Sequence, residues 1–298
     1  MKRLALALLF YCVALPAFSG VKEANEAMQK EDYKTALKEW TALAKKDNAE
    51  AQFKLGLMNA AGLGVEASMD VAVGWYSKAA AQNHPKALYL MSVAYDEGQG
   101  VKADPEKFKQ LLNKAAELGS TEAQNHLGST YYRGYGVAQD FAQALLWYRK
   151  AAEQNDASAQ FNLGNMYQRG KGVEQSEPDA IKWFTLAAEQ NEDRAQNALG
   201  GIYMNRKDFA QGVIWLKKAA EASNTYAQAD LSQAYFYGDG VSEDKVEAFK
   251  WAFIATEISH EEDARNLKHA IENKLNPAQI EQGKDFAIKW LKAHDFML

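Results

Sequence analysis

The sequence predicts an all-α solenoid of stacked helical hairpins, and three observations predict it. Alanine returns every 36 residues, at Ala51, Ala87, Ala123, Ala159 and Ala195. A Gly-x-Gly-Val string keeps the same interval from Gly62 to Gly98, Gly134 and Gly170, with a further copy at Gly238. Between these markers the apolar residues follow helical spacing. Self-similarity at a period of about 20–50 residues marks a repeat architecture, in which no unit can bury its apolar face alone.

The chain opens with a short cationic start, Met1-Lys2-Arg3, then the uncharged run Leu4 to Leu15. Ala17 and Ser19 are small residues spaced for cleavage after Ser19. Residues 1–19 therefore read as a secretory signal peptide. The apolar run is shorter than the roughly 20 residues that span a bilayer, so no transmembrane segment is expected once the leader is removed. Cleavage would take away Cys12, the single cysteine. The expected exported chain then relies on apolar burial without disulfides. Its location is expected to be the periplasm, or the exterior as a secreted protein.

Residues 20–48 read as N-terminal capping helices: Tyr33, Ala36, Leu37, Trp40 and Leu43 mark one, and Val21 to Lys30 supplies its partner. Residues 49–260 hold six repeats. The fifth, 193–224, is shortened: Trp183 to Trp215 is 32 residues, and Asn205-Arg206-Lys207-Asp208 replaces the glycine string. Residues 261–298 read as C-terminal capping helices. Asn276-Pro277 starts the last of them, with Ile280, Phe286, Ala287, Trp290 and Leu291 on its apolar side.

Each repeat reads as two helices. In the fourth, Ala159, Leu163 and Tyr167 fall on one helical stripe. Gly170 to Val173 breaks it. Ala180, Trp183, Phe184, Ala187 and Ala188 form a second stripe. Gly128, Gly164 and Gly200 sit inside first helices, where glycine costs about 0.5–1 kcal/mol relative to alanine. Close approach of a neighbouring aromatic side chain is the expected compensation. The loop glycines are expected to supply positive φ.

Composition and motifs exclude several chemistries. A net charge of −5 and a pI near 5.7 give no basic footprint for nucleic acid. The Gly-x-Gly strings lack the strand and the Gly-Lys-Ser/Thr of a phosphate cradle. His84, His126, His260, His269 and His294 show no zinc-ligand spacing, and His260-Glu261-Glu262-Asp263 reads as the acidic start of a helix. There is no Gly-x-Ser-x-Gly elbow and no isolated pair of carboxylates. No catalytic residue, metal or cofactor is expected. The 7 Trp, 14 Tyr and 13 Phe fall mostly on repeat columns and read as core.

The third repeat carries Ala123-Gln124, Leu127-Gly128, Tyr131, Gly134, Gly136-Val137 and Trp147-Tyr148-Arg149-Lys150-Ala151-Ala152. These strings resemble the Sel-1-like repeat family, a relative of the tetratricopeptide repeat, and the resemblance covers roughly Glu50 to Ser259. Departures are Asn59 for tyrosine, Met91-Ser92 for Leu-Gly, Phe108 at a usually small position, and the short fifth loop. The resemblance implies a right-handed α-α superhelix whose concave wall is lined by first helices, and function through protein contacts. Some cysteine-rich members bind penicillin-like or peptidoglycan-like molecules, but through a framework of paired cysteines that this chain lacks.

Transferring the family's ligand wall by alignment gives Asn125, Ser129, Tyr132 and Arg133 from the third repeat. The fourth gives Phe161, Asn162, Asn165, Gln168 and Arg169, and the fifth gives Arg194 and Asn197. Asparagines beside arginines can clamp a peptide carboxylate or backbone amides. The alternative is an ordinary wet helix surface, and the sequence does not choose between them. Asp96 and Glu97 occupy the equivalent wall of the second repeat, Phe236 and Tyr237 that of the sixth. The expected function is a non-enzymatic, monomeric scaffold or adaptor of the bacterial cell envelope that holds a partner protein or extended peptide. The alternative is a binder or hydrolase of peptidoglycan fragments or β-lactams.

Overall fold

The computed structural model describes residues 16–296. Most of the segment read as a signal peptide, residues 1–15, lies outside the described residues. Among the described residues the protein is all helix: α1 (Pro16–Gln29), α2 (Tyr33–Ala44), α3 (Ala49–Ala61), α4 (Met69–Ala81), α5 (Pro85–Glu97), α6 (Pro105–Glu117), α7 (Thr121–Arg133), α8 (Phe141–Glu153), α9 (Ala157–Arg169), α10 (Glu177–Glu189), α11 (Asp193–Asn205), α12 (Phe209–Glu221), α13 (Thr225–Tyr237), α14 (Lys245–Ser259), α15 (Glu262–Glu272) and α16 (Pro277–Ala293). The fold class is a hairpin-repeat solenoid, with α3 to α14 supplying six hairpins. The chain divides into two compact units, one ending at Leu127 and one beginning at Gly128, inside α7. In the first, helices from α1 to α6 pack each against the next; in the second, those from α8 to α15 do so, and α16 packs on α14.

Side-chain caps set the helix boundaries. Asp32, Ser68, Asp104, Asp140, Ser176, Asp208 and Asp244 each precede a second helix or its N-terminal counterpart, and accept a backbone N–H in its first turn. Each such cap is worth about 1 kcal/mol. First helices other than α11 end in glycine in the left-handed conformation, as at Gly170 with φ 63°, whereas α11 ends at Arg206 in the right-handed region. Across the internal loop, Gly172 has φ 69°, and a Cβ there would collide with the backbone carbonyl of Phe141. That collision and the left-handed φ together require glycine.

Within four of the six hairpins the helices meet at a glycine; the second and sixth carry the buried Ser92 and Ser232 there. A Cβ on Gly128 would lie 2.6 Å from Tyr148 Cδ1, and one on Gly164 would lie 2.6 Å from Phe184 Cδ1. Gly200 meets Leu216 rather than an aromatic ring. Alanine columns lie beside these contacts: Ala159, Ala180, Ala187 and Ala195 are wholly buried with Leu163, Phe184 and Leu199. At the C-terminal end Ala287, Trp290 and Leu291 are buried as expected. Phe286, placed on the apolar side by its spacing, is 39% exposed instead.

Between hairpins the helices meet at a glutamine. Gln52, Gln124, Gln160, Gln196 and Gln228 are buried. Each Nε2 donates to the carbonyl of an alanine ending the preceding helix: Ala44, Ala116, Ala152, Ala188 and Ala220, at 3.5, 3.0, 3.2, 3.1 and 3.1 Å. Each of these carbonyls also accepts a backbone N–H from the turn after its helix, from Asp47, Gly119, Asn155, Asn191 and Ser223, so the glutamine serves the second lone pair. The glutamine's oxygen needs a donor in turn. Gln82 and Gln190, closing α4 and α10, donate to Gln52 and Gln160 at 2.8 Å. At the equivalent positions of the fifth and sixth repeats stand Ala222 and Ile258. Gln196 Oε1 and Gln228 Oε1 are accordingly buried without a partner.

Ala222→Gln restores the missing donor at an exposed helix end. It is expected to stabilise the protein by about 1 kcal/mol, the usual net worth of one hydrogen bond. An unchanged urea-unfolding midpoint would show that Gln196 Oε1 is not the weak point of this junction.

Candidate functional site

The wall transferred from the family lies on α7, α9 and α11, and the structure divides its residues into engaged and free. Asn125 and Asn162 are half-buried, and each already holds a partner. Ser129 Oγ lies 3.0 Å from Tyr148 Oη. Burial pushes the Tyr148 phenol up, against that hydrogen bond and the nearby Arg133 charge. The Tyr132 ring packs edge-on against Phe141 at 5.3 Å, and its carbonyl accepts from Gln139 Nε2. Phe161 packs against Phe184 at 5.8 Å. Asn165 and Gln168 are half-buried, and the Gln168 carbonyl accepts from Gln175 Nε2.

The three arginines are not equivalent. Arg194 Nε donates to Glu192 Oε1 at 2.5 Å, Nη2 reaches Ser158 Oγ at 3.4 Å, and the guanidinium lies 4.5 Å from the Phe161 ring centre. The Glu192 hydrogen bond holds Arg194 above its ordinary pKa. Its charge is largely answered inside the fold. Arg133 and Arg169 are exposed, each the last residue of its first helix. Neither forms an ion pair among the described residues. Asn197 is half-buried with Oδ1 shielded and unpartnered.

One repeat further along, the same columns surround a cavity of about 420 Å³. From α11 it is lined by Gly201, Met204 and Asn205; from α13 by Asp230, Gln233 and Tyr237; and from the following turn by Asp239. The helical spacing explains the set. Asp230, Gln233 and Tyr237 fall at i, i+3 and i+7, one face of α13. Gly201 stands where α7 and α9 carry Ser129 and Asn165, and a Cβ there would meet nothing within 4 Å. Asn205 and Tyr237 end their helices at the position that Arg133 and Arg169 hold earlier. Asp230 keeps solvent access, yet crowding by the surrounding protein pushes its carboxyl above the usual carboxylate range.

Sequence reasoning placed Tyr237 on this wall but missed the cavity. The Gly200-Gly201 doublet was the available signal, since only the first glycine is needed for hairpin contact. Among the described residues no group of His, Cys, Asp and Glu is arranged to hold a metal ion, and no helix is long and apolar enough to cross a membrane.

Repeated hairpins with variable side chains on their first-helix faces define a class, the helical-repeat proteins. The chain belongs to the Sel1 repeat family: the Sel1 repeat profile matches residues 49–84, 85–120, 121–156, 157–192, 193–224 and 225–259. Membership suggests a protein–protein interaction scaffold. The chain is similar to c5321, a protective antigen present in uropathogenic Escherichia coli strains displaying an SLR fold. Identity is 27% and the TM-score 0.60, over 93% of this chain and 68% of that one. It is also similar to a Sel1 repeat protein from Oxalobacter formigenes, at 28% identity and TM-score 0.70, over 80% of this chain and 96% of that one. No curated protein matches the chain in sequence.

The raised Asp230 carboxyl has a consequence for stability. The folded state binds the proton more tightly than the unfolded chain, whose carboxyl sits near 3.8. Stability is therefore lost as pH rises through the folded-state value, and the penalty is fully present at neutral pH. Asp230→Asn is expected to melt above the parent at pH 7, with the gap closing as pH falls below the ordinary carboxylate range. A gap that persists unchanged in acid would refute the electrostatic origin.

Proposed function

We propose that the protein is an exported, non-enzymatic interaction scaffold of the bacterial cell envelope, placed in the periplasm by the leader at residues 1–19. It holds an extended segment of a partner protein along the first-helix wall. The observation that carries this reading is the pair Arg133 and Arg169, which end consecutive first helices exposed and without a carboxylate partner among the described residues. Two unanswered guanidiniums on neighbouring hairpins suit the carboxylates of an extended chain, which Arg can bind through two parallel hydrogen bonds. Their neighbours Asn165 and Gln168 can reach backbone amides, the polar contacts that a side-chain-tolerant binder uses.

A second reading, a binder or hydrolase of peptidoglycan fragments or β-lactams, draws on the cavity and the raised carboxyl of Asp230. It requires binding or turnover of a chromogenic β-lactam or a labelled muropeptide that Asp230→Asn abolishes.

The scaffold reading is tested by affinity capture from envelope extract. Arg133→Glu combined with Arg169→Glu is expected to abolish partner capture while leaving helicity and melting unchanged, because both side chains are exposed. Full capture by the double variant would remove this wall from the interface.

A further inference from the structure

The cavity of α11 and α13 carries negative charge that the fold leaves unanswered. Asp230 and Asp239 both line it. Neither carboxylate has an ion pair or a side-chain hydrogen bond among the described residues. Some acidic side chains nearby are paired: Glu177 meets Arg206, Glu192 meets Arg194 and Glu247 meets Lys250. The lining therefore presents two carboxylates and no cation to answer them.

The remaining lining narrows the ligand. Phosphates and carboxylates are excluded by two like charges. Tyr237 is 68% exposed, its ring packed perpendicular to Phe236, and an aromatic ring at the mouth of the cavity can hold a cation. Met204 offers a polarizable apolar wall. Asn205 and Gln233 add amide oxygens. Gly201 leaves open the space that Ser129 and Asn165 fill on the earlier helices. The volume of about 420 Å³ falls in the range of small-ligand pockets and exceeds one side chain, so flanking backbone enters with it.

We propose that this cavity is the recognition pocket for a lysine of an extended partner peptide, its ammonium held by Asp230 and Asp239 and its stem lying on Tyr237 and Met204. The proposal rests on the scaffold reading and names the chemistry of one end of the bound segment. An ammonium brings three donors and no acceptor, which matches the imbalance of the site.

The test is calorimetric titration of the full chain with a capped alanine peptide bearing two adjacent lysines, with its Nζ-acetylated counterpart, and with n-butylamine. The lysine peptide is expected to bind, more weakly as salt rises. Acetylation and Asp230→Asn are each expected to weaken it by about tenfold or more, the size of one lost charge-assisted contact. Asp230→Asn is expected to fold at least as well as the parent, so its loss of binding reads as loss of charge. Gly201→Leu, which fills space that nothing else occupies, is expected to block the peptide with melting retained. Equal binding of the acetylated peptide, full binding by Asp230→Asn, or n-butylamine binding as tightly as the peptide would each overturn the proposal. Partner capture that depends on Arg133 and Arg169 yet survives Asp230→Asn would overturn the pocket and leave the scaffold standing.

Discussion

A buried amide at the junctions between hairpins is the constraint on which much of the repeat depends. Wholly buried alanines such as Ala152, Ala159, Ala188 and Ala195 bring successive helices close enough to exclude water. That closeness shields the last carbonyls of each preceding helix, which already accept a backbone N–H from the following turn. A carbonyl oxygen has two lone pairs, and the facing helix supplies a donor to the second, a hydrogen bond worth about 1 kcal/mol net. Gln160 and Gln196 supply it to Ala152 and Ala188, and three further glutamines do the same elsewhere. Alanine and glutamine therefore occur side by side: the small residue creates the close contact, and the amide ties the two helices together across it. In the second repeat the column carries Leu88 instead, buried among apolar neighbours.

The contact inside each hairpin obeys a different rule and leaves the outer wall free. Gly128 and Gly164 accept the rings of Tyr148 and Phe184 against bare backbone, which fixes how a first helix sits on its second. Those glycines, the alanines and the glutamines consume the inward faces. Residues at the ends of the first helices fall outside all three contacts. The six first helices end in Ala61, Glu97, Arg133, Arg169, Asn205 and Tyr237. Such chemical variety at one structural position is compatible with the fold because packing makes no demand there.

The architecture was legible in the sequence because its causes are local and periodic. Alanine columns, the Gly-x-Gly-Val strings and the step from Trp183 to Trp215 each report one contact repeated in register. The helix caps at Ser68, Asp140 and Asp208 were equally local but escaped notice, since a single capping residue has no periodic apolar partner to draw attention to it. The candidate site was less legible for physical reasons. Whether an arginine is free depends on what faces it across a loop. Arg194 finds Glu192 and Ser158, whereas Arg133 and Arg169 find no carboxylate, and spacing alone does not distinguish them. The cavity depends on side chains that are missing, and Gly201 is visible as an opening only when α13 is in place beside it.

The two free arginines and the acidic cavity lie within the same compact unit, on first helices that follow one another in the chain. Their order gives the wall a direction. A segment whose acidic residues lie toward α7 and α9 and whose lysine lies toward α13 meets opposite charge at both ends. Running the other way, it sets carboxylates against Asp230 and Asp239 and an ammonium against Arg133, so like charges oppose and the reversed register is disfavoured. A wall of uniform charge would attract such a segment without orienting it. The uncompensated Asp230 thus fits a site whose stability penalty is relieved only when a partner of the right polarity arrives.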